Sequence, residues 1–230
     1  MTLSRALPNP QSSMTSATQT AYTAIQRMIV TGLFPPGQKL KIETLKDRLQ
    51  VGASPIREAL SLLTSDQLVE RIDQRGFRSA PVSLENFDEI LRLRCALEDM
   101  ALRQAIARSC PEWEEALVLA HHRLTRADAA DDTVFEALHK AFHMALLDNS
   151  ASPILLRYCS QLYDLNVRYR YLAGRSLNYG RRDVGREHRE ILEAAVAGDA
   201  NAASARLLAH YQKTGAFLRD SGLVPVTPDE

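Results

Sequence analysis

Apolar positions recur at helical spacing through most of the chain, with one interruption between residues 68 and 81. Ala21, Ile25, Met28 and Ile29 share one face, and Gly32 stands where a left-handed residue ends a helix. Phe34-Pro35-Pro36-Gly37 predicts a rigid turn. Ile42, Leu45 and Leu49 mark a second, short helix. Gln50-Val51-Gly52-Ala53 then reads as a turn, with Ser54 as N-cap, Pro55 as the first helical residue and Glu58 closing a capping box. Ile56, Leu60 and Leu63 give this third helix its buried stripe. Residues 68–72 and 77–81 alternate apolar and polar on either side of Asp73-Gln74-Arg75-Gly76, which predicts a hairpin.

Beyond Pro81-Val82-Ser83 the pattern is helical throughout. Phe87, Ile90, Leu91, Leu97, Ala101 and Leu102 fit a long amphipathic helix capped by Ser83. Pro111 opens another, carrying Trp113, Leu117, Ala120 and Leu124. Further helices are predicted over residues 132–148, 153–173, 183–198 and 199–220, with Gly198 closing one and Asp199 capping the next. The expected fold is mainly α. A winged helix-turn-helix over residues 19–81 precedes an all-α bundle of about six helices over residues 84–222. Residues 1–18, rich in Ser, Thr, Pro and Gln, are expected to form a disordered tail.

Composition adds little to this picture, and charge adds more. Of the 230 residues 45% are hydrophobic and 24% charged, enough for a sizeable core. Apolar runs such as Ala194-Ala195-Val196-Ala197 are too short to span a bilayer, and no basic start leads into an apolar leader segment. Cys95, Cys110 and Cys159 form no CxxC pair, so a reducing, cytoplasmic setting is expected and no membrane partner. The formal net charge is zero, yet residues 1–82 hold 10 Lys and Arg against 6 Asp and Glu, while residues 83–230 hold 18 against 22. A basic front on an acidic back suits a DNA-binding head on a body with another task.

Such a head lays its second helix in the major groove, with the N-terminal residues against base edges. Ser54 and Arg57 occupy that position, and the planar guanidinium of Arg57 can clasp a guanine edge or a phosphate. Lys39, Lys41, Lys46 and Arg48 are candidate phosphate contacts. Arg71, Arg75 and Arg78 lie on the wing, where Gly76 lets the backbone approach DNA. The segment Gly32-Leu33-Phe34-Pro35-Pro36-Gly37-Gln38-Lys39-Leu40, followed by Val51 and Ser54-Pro55-Ile56-Arg57-Glu58-Ala59-Leu60, resembles the head of GntR-family transcriptional regulators. The resemblance implies a ligand-responsive regulator of double-stranded operator DNA, read as a repressor, acting as a homodimer on two half-sites. It is not complete. Gln50, Gly52 and Ala53 replace residues the family commonly has as Gly, Ser and Arg, and Gln67 stands in place of the glycine that ends the recognition helix. The family's usual operator therefore does not carry over.

Four of the six histidines fall at suggestive spacings. His139 and His143 share a helix face, and His188 and His210 fall one on each of the last two helices. A bundle can converge such rings on one cation, for which imidazole favours zinc, nickel, copper or iron over magnesium or calcium. Each is otherwise an ordinary core or surface histidine. Ala141-Phe142-His143, Glu187-His188-Arg189-Glu190-Ile191-Leu192, Gly198-Asp199 and His210 resemble the FCD ligand-sensing domain found behind GntR heads in the FadR subfamily, in its VanR-like branch with about six helices. That likeness implies a divalent metal held by His143, His188 and His210, with His139 where the family has Asp. The loss of that negative charge favours zinc or nickel and leaves more positive charge for an anion. Arg94, in the segment Leu91-Arg92-Leu93-Arg94-Cys95-Ala96-Leu97-Glu98, resembles the family's cavity arginine and is a candidate for a small carboxylate effector; it alternatively pairs with Glu98. Arg168 and Tyr169, with Tyr171, are further candidates. Two rival functions stay open: a metal sensor without an organic effector, and a metal-dependent hydrolase. The latter lacks an HExxH motif, since Lys140 follows His139.

Overall fold

The computed structural model describes residues 16–127, 132–174, 183–220 and 222. Most of the tail expected over residues 1–18 lies outside them, but Ser16 already caps the first helix by accepting from Gln19 N at 3.1 Å. The head comprises α1 (Ala17–Val30), β1 (Lys39–Leu40), α2 (Ile42–Leu49), α3 (Ala53–Ser65), β2 (Val69–Ile72) and β3 (Gly76–Ser79). Its core is most of the predicted set: Ala21, Ile25 and Ile29 of α1 meet Leu45 of α2 and Ile56, Leu60 and Leu63 of α3, all buried, while Ile42 and Leu49 of α2 are half-buried at its edge. Gly32, at φ 76°, supplies the left-handed residue that closes α1.

Two details differ from the sequence pattern. The hairpin gains a third strand, giving the antiparallel order β1-β3-β2, because Lys39 and Leu40 pair with Arg78 and Phe77. The recognition helix also begins earlier than predicted. Gly52 is the N-cap, without a side-chain hydrogen bond, and Ser54 and Pro55 already lie inside the first turn. Pro55 is tolerated there because first-turn N–H groups have no intrahelical partner. The capping box is not formed: Glu58 accepts from the Ser54 hydroxyl at 3.4 Å and from Thr18 Oγ1 of α1 at 2.8 Å, and no side chain caps the helix N-terminus. At the other end of α3, Gln67 takes φ 62°, the left-handed conformation that glycine would adopt without strain.

Ser83 caps the second unit as predicted, accepting from Asn86 N at 3.1 Å. Among the described residues this unit holds α4 (Leu84–Ala107), α5 (Pro111–Thr125), α6 (Asp132–Leu147), α7 (Pro153–Gly174), α8 (Val184–Val196) and α9 (Ala200–Asp220), with a short 3-10 turn after α6. Pro111 stands at the start of α5, and Asp199 accepts from Ala202 N at 2.9 Å to cap α9. The inward stripe of α4 runs through Phe87, Leu91, Arg94, Glu98, Ala101 and Ala105, so two charged residues lie where apolar ones are usual. Leu97, expected in the stripe, is only half-buried. Gly215 lets α9 approach α4 closely, since a Cβ there would stand 2.6 Å from Leu91 Cδ2. That approach carries His210 and Tyr211 toward Arg94 and Glu98.

Candidate metal centre and nucleic-acid interface

Four buried histidines converge at the centre of the bundle. His139 and His143 come from α6, His188 from α8 and His210 from α9, and one ring nitrogen from each lies within 4.8 Å of the others. The i, i+4 spacing stacks the α6 pair on one face, with ring centroids 4.5 Å apart. Phe142, wholly buried, packs 5.2 Å from the His188 ring and closes one side.

The hydrogen bonds around three of the rings favour the nitrogen that each presents. Tyr163 donates to Glu136 Oε1 at 2.6 Å, so at 2.5 Å from His139 Nδ1 it accepts that nitrogen's proton. Tyr211 likewise donates to Glu98 and lies 2.8 Å from His143 Nδ1. Glu187 Oε2, which can only accept while ionised, lies 2.8 Å from His210 Nδ1. In each case the Nδ1–H is committed to an oxygen anchored by a carboxylate, and the lone pair is left on Nε2. The Nε2 atoms of His143 and His188 are buried without a hydrogen-bond partner. Buried polar atoms are ordinarily paired, so these mark an acceptor pair waiting for a cation or a donor. A tetrahedral ion with bonds of about 2.0–2.1 Å spaces its donors about 3.4 Å apart, so the most distant pair of rings needs to close by up to about 1.4 Å.

Burial keeps His139, His143 and His188 neutral. It lowers His139 and His143 well below the usual histidine range, helped by Arg170 and by the neighbouring rings, and takes His188 to about 2. Unfolded imidazoles take up protons near pH 6.5, and these folded ones do not. The unfolded chain therefore binds more protons below that pH, and metal-free stability falls as pH drops through 6.5, by about 1.4 kcal/mol per pH unit for each such group. His188→Gln is expected to make the slope of unfolding free energy between about pH 6 and pH 5 shallower by about one proton. Denaturant titrations at several pH values check this; an unchanged slope contradicts it.

The arginine that the sequence singled out is both ion-paired and at the site. Arg94 is 3% exposed; its Nε donates to Glu98 Oε1 at 2.5 Å and its Nη1 to Asn166 Oδ1 at 3.0 Å. The guanidinium is sandwiched by the Tyr211 and Tyr163 rings, 4.1 and 4.7 Å from their centroids. Arg94 Nη2 and Asn166 Nδ2 are buried donors without acceptors. They border a cavity of about 10 Å³, room for about one water, lined also by His139, Arg170, His210 and Thr214.

Arg168 and Tyr169 are not at this cavity. Arg168 Nη2 donates to the Ala80 carbonyl at 2.6 Å, and the Tyr169 hydroxyl to Asn86 Oδ1 at 2.7 Å. Arg170 is there instead: its Nη1 lies 3.0 and 3.2 Å from the two His139 nitrogens, and its Nη2 pairs with Glu136. One residue along a helix is a 100° turn, and the sequence pattern did not fix the phase of α7 that closely. The spacing of Tyr163, Asn166 and Arg170 (i, i+3, i+7) was the available signal. Tyr211, next to His210, and Glu98, one turn after Arg94, were also open to inference.

In the head, Ser54, Arg57, Glu58 and Ser61 form the outward face of α3, opposite the buried Ile56, Ala59, Leu60 and Leu63. The first turn has no acidic residue and no side-chain cap. Lys39, Lys41, Arg48, Arg75 and Gly76 are exposed, whereas Lys46 is ion-paired with Glu43 at 2.7 Å. Arg78 is also engaged, with Glu70.

These two sites agree with what the chain resembles. Residues 17–78 match bacterial regulatory proteins of the gntR family, and residues 89–213 match the FCD domain. The chain belongs to the GntR family and carries an FCD domain. It is 34% identical over 226 residues to the uncharacterized HTH-type transcriptional regulator BphR of Paraburkholderia xenovorans, covering 95% of this chain and 92% of that protein. It is also 34% identical to the HTH-type transcriptional repressor GlaR of Escherichia coli, over 69% of this chain and 74% of that one. The solved structure of McbR/YncC from E. coli shares the fold, with a TM-score of 0.79 at 24% identity, covering 90% and 99% of the two chains. This GntR protein is a transcriptional regulator and not an enzyme, so the hydrolase alternative is set aside. Among the described residues no helix is long and apolar enough to cross a membrane.

Proposed function

We propose that this regulator is an operator-binding repressor, acting as a homodimer, whose FCD domain holds a divalent transition ion on His139, His143, His188 and His210 and takes a small carboxylate beside it. The observation that carries the metal reading is the buried histidine cluster, in which the Nε2 atoms of His143 and His188 have no partner. Four imidazoles without a carboxylate suit zinc or nickel and are a poor set for magnesium or calcium. A bound cation would supply a Lewis-acidic site for one carboxylate oxygen. The unpartnered Arg94 Nη2 and Asn166 Nδ2 would receive the other. An organic acid needs more than the present 10 Å³, and Arg170 is the wall that yields: withdrawing it from His139 widens the cavity and removes a positive charge from the cation's surroundings.

DNA contact is assigned to Ser54 and Arg57 at the base edges and to Lys39, Lys41, Lys46, Arg48, Arg75 and Gly76 along the backbone. A single short recognition helix reads few base pairs, which argues for two copies on two half-sites. Repression is supported by the likeness to GlaR, a repressor.

The small cavity also favours a second reading, in which the ion itself is the signal. Operator affinity measured with metal-free protein, with metal, and with metal plus a panel of small carboxylic acids separates the two. The first reading predicts that an acid shifts affinity by roughly 5–150-fold in metal-loaded protein. A full shift by metal alone favours the sensor, and no shift in any condition overturns both.

A further inference from the structure

Helix α7 carries two adjacent stripes of side chains. Tyr163, Asn166 and Arg170 meet the histidine site, through His139 and Arg94. Asp164, Arg168 and Tyr171 (i, i+4, i+7) face the head. Asp164 accepts from Gln26 Nε2 of α1 at 3.0 Å, and Arg168 and Tyr171 border a small cavity with Ile29, Pro35 and Pro36. The stripes look toward different partners, yet one rigid helix bears both, so a displacement at Tyr163 or Arg170 is felt at Asp164 and Tyr171 one residue away.

The contacts with the head are few and specific. Arg168 is 5% exposed and has no carboxylate partner among the described residues. Burial brings it to about 10, so it stays charged at neutral pH. Its Nη2 donates to the Ala80 carbonyl at 2.6 Å and to Ser79 Oγ at 3.2 Å. Those two residues form a junction of the head. Ser79 N donates to Gln38 O, Gly37 N donates to Ser79 O and Ala80 N donates to Leu68 O, at 2.8, 3.0 and 3.0 Å. Arg168 thus grips the point where the 37–38 turn, the start of the wing and its exit toward α4 are tied together. The second grip is Asp164, which also receives Lys140 Nζ at 2.7 Å on both oxygens, and Lys140 follows His139 on α6. Beside these grips a cleft of about 590 Å³ separates α1 and α3 from α7. Interfaces of this kind permit relative motion by default, and here a handful of bonds restrains it.

We infer that α7 is the transmission element of this regulator, and that Arg168 and Asp164 are positioning residues through which occupancy of the histidine site sets the orientation of the winged head. The inference rests on the metal reading of that site. Neither residue touches DNA or metal in this scheme; they convert a shift in the bundle into a shift of the wing.

Hydrogen exchange of the full chain, with zinc as the probe, tests it. In the wild type, zinc is expected to slow amide exchange about tenfold or more in residues 163–171 and also in residues 79–82 and 26–31 of the head, the scale of an ordinary coupling. Arg168→Ala should bind zinc with unchanged stoichiometry and keep the slowing in residues 163–171 while losing it in residues 79–82. Arg168→Lys, which retains one donor for Ala80, should restore it. Gln26→Ala, a change on half-buried α1 that leaves both cores untouched, should lose the slowing in residues 26–31 alone. Head slowing that persists in Arg168→Ala and Gln26→Ala overturns the inference, as does zinc binding in the wild type without any head response, which leaves the metal reading standing. Failure of the wild type to bind zinc removes both together.

Discussion

His188→Ala is expected to abolish the stabilisation that zinc or nickel confers on this protein. A ligand that binds only the folded state adds RT ln(1 + [L]/Kd), about 2.7 kcal/mol at a hundredfold excess over Kd. His188 contributes one of four ligating nitrogens, and its Nε2 is one of the two buried ring atoms lacking any partner. Its removal leaves a three-histidine set whose remaining rings are still held by Glu136, Glu98 and Glu187 through Tyr163, Tyr211 and a direct contact. The metal-dependent gain should then disappear at the concentration that saturates the wild type. His143→Ala should behave alike. His122→Ala, on the exposed face of α5, should keep the full gain. Denaturant unfolding with and without metal reads all three. An undiminished gain in His188→Ala would contradict the site.

Arg57→Ala is expected to cost nearly all specific operator affinity. A bidentate arginine–guanine contact is worth about 1–3 kcal/mol, roughly five- to 150-fold, and the proposed dimer would lose it twice. Arg57 is exposed on the outward face of α3 and has no hydrogen bond or ion pair among the described residues, so the change costs the fold little. Lys39→Ala, by contrast, removes a backbone contact and should weaken specific and random DNA by similar, smaller factors. Gel shifts at fixed salt with DNA flanking the regulator's own gene and with random DNA separate the two patterns. Equal affinity of Arg57→Ala and wild type would remove α3 from the DNA-reading role.

Much of this was legible in the sequence where periodicity and punctuation agree. Ile25, Leu45, Ile56 and Leu60 announce the head's core, and Ser83, Pro111 and Asp199 announce three helix starts. Four histidines scattered over 72 positions were legible as one cluster because helix phase and family resemblance agreed. What escaped depended on tertiary context. The first strand is two residues long and exists only because β3 is there to pair with it. The start of α3 lies at Gly52, and Glu58 is shared between Ser54 and Thr18, which is remote in sequence. Arg168 and Arg170 are indistinguishable by composition; only the packing of α7 against two different partners sends one to Ala80 and the other to His139. Glu136, which anchors the site through Tyr163 and Arg170, was hidden because charged residues on amphipathic helices ordinarily face solvent.

The most direct test of the central claim is X-ray absorption at the metal edge of protein loaded with one equivalent of zinc. Four imidazole ligands predict a first shell of light scatterers only, at about 2.0–2.1 Å, with the outer-shell signature of histidine rings. In His188→Ala, which no longer holds the ion at this loading, the signature should be lost. A sulfur scatterer at about 2.3 Å, or an oxygen shell without imidazole features, would mean that the ion binds elsewhere and that the converged histidines are not its site.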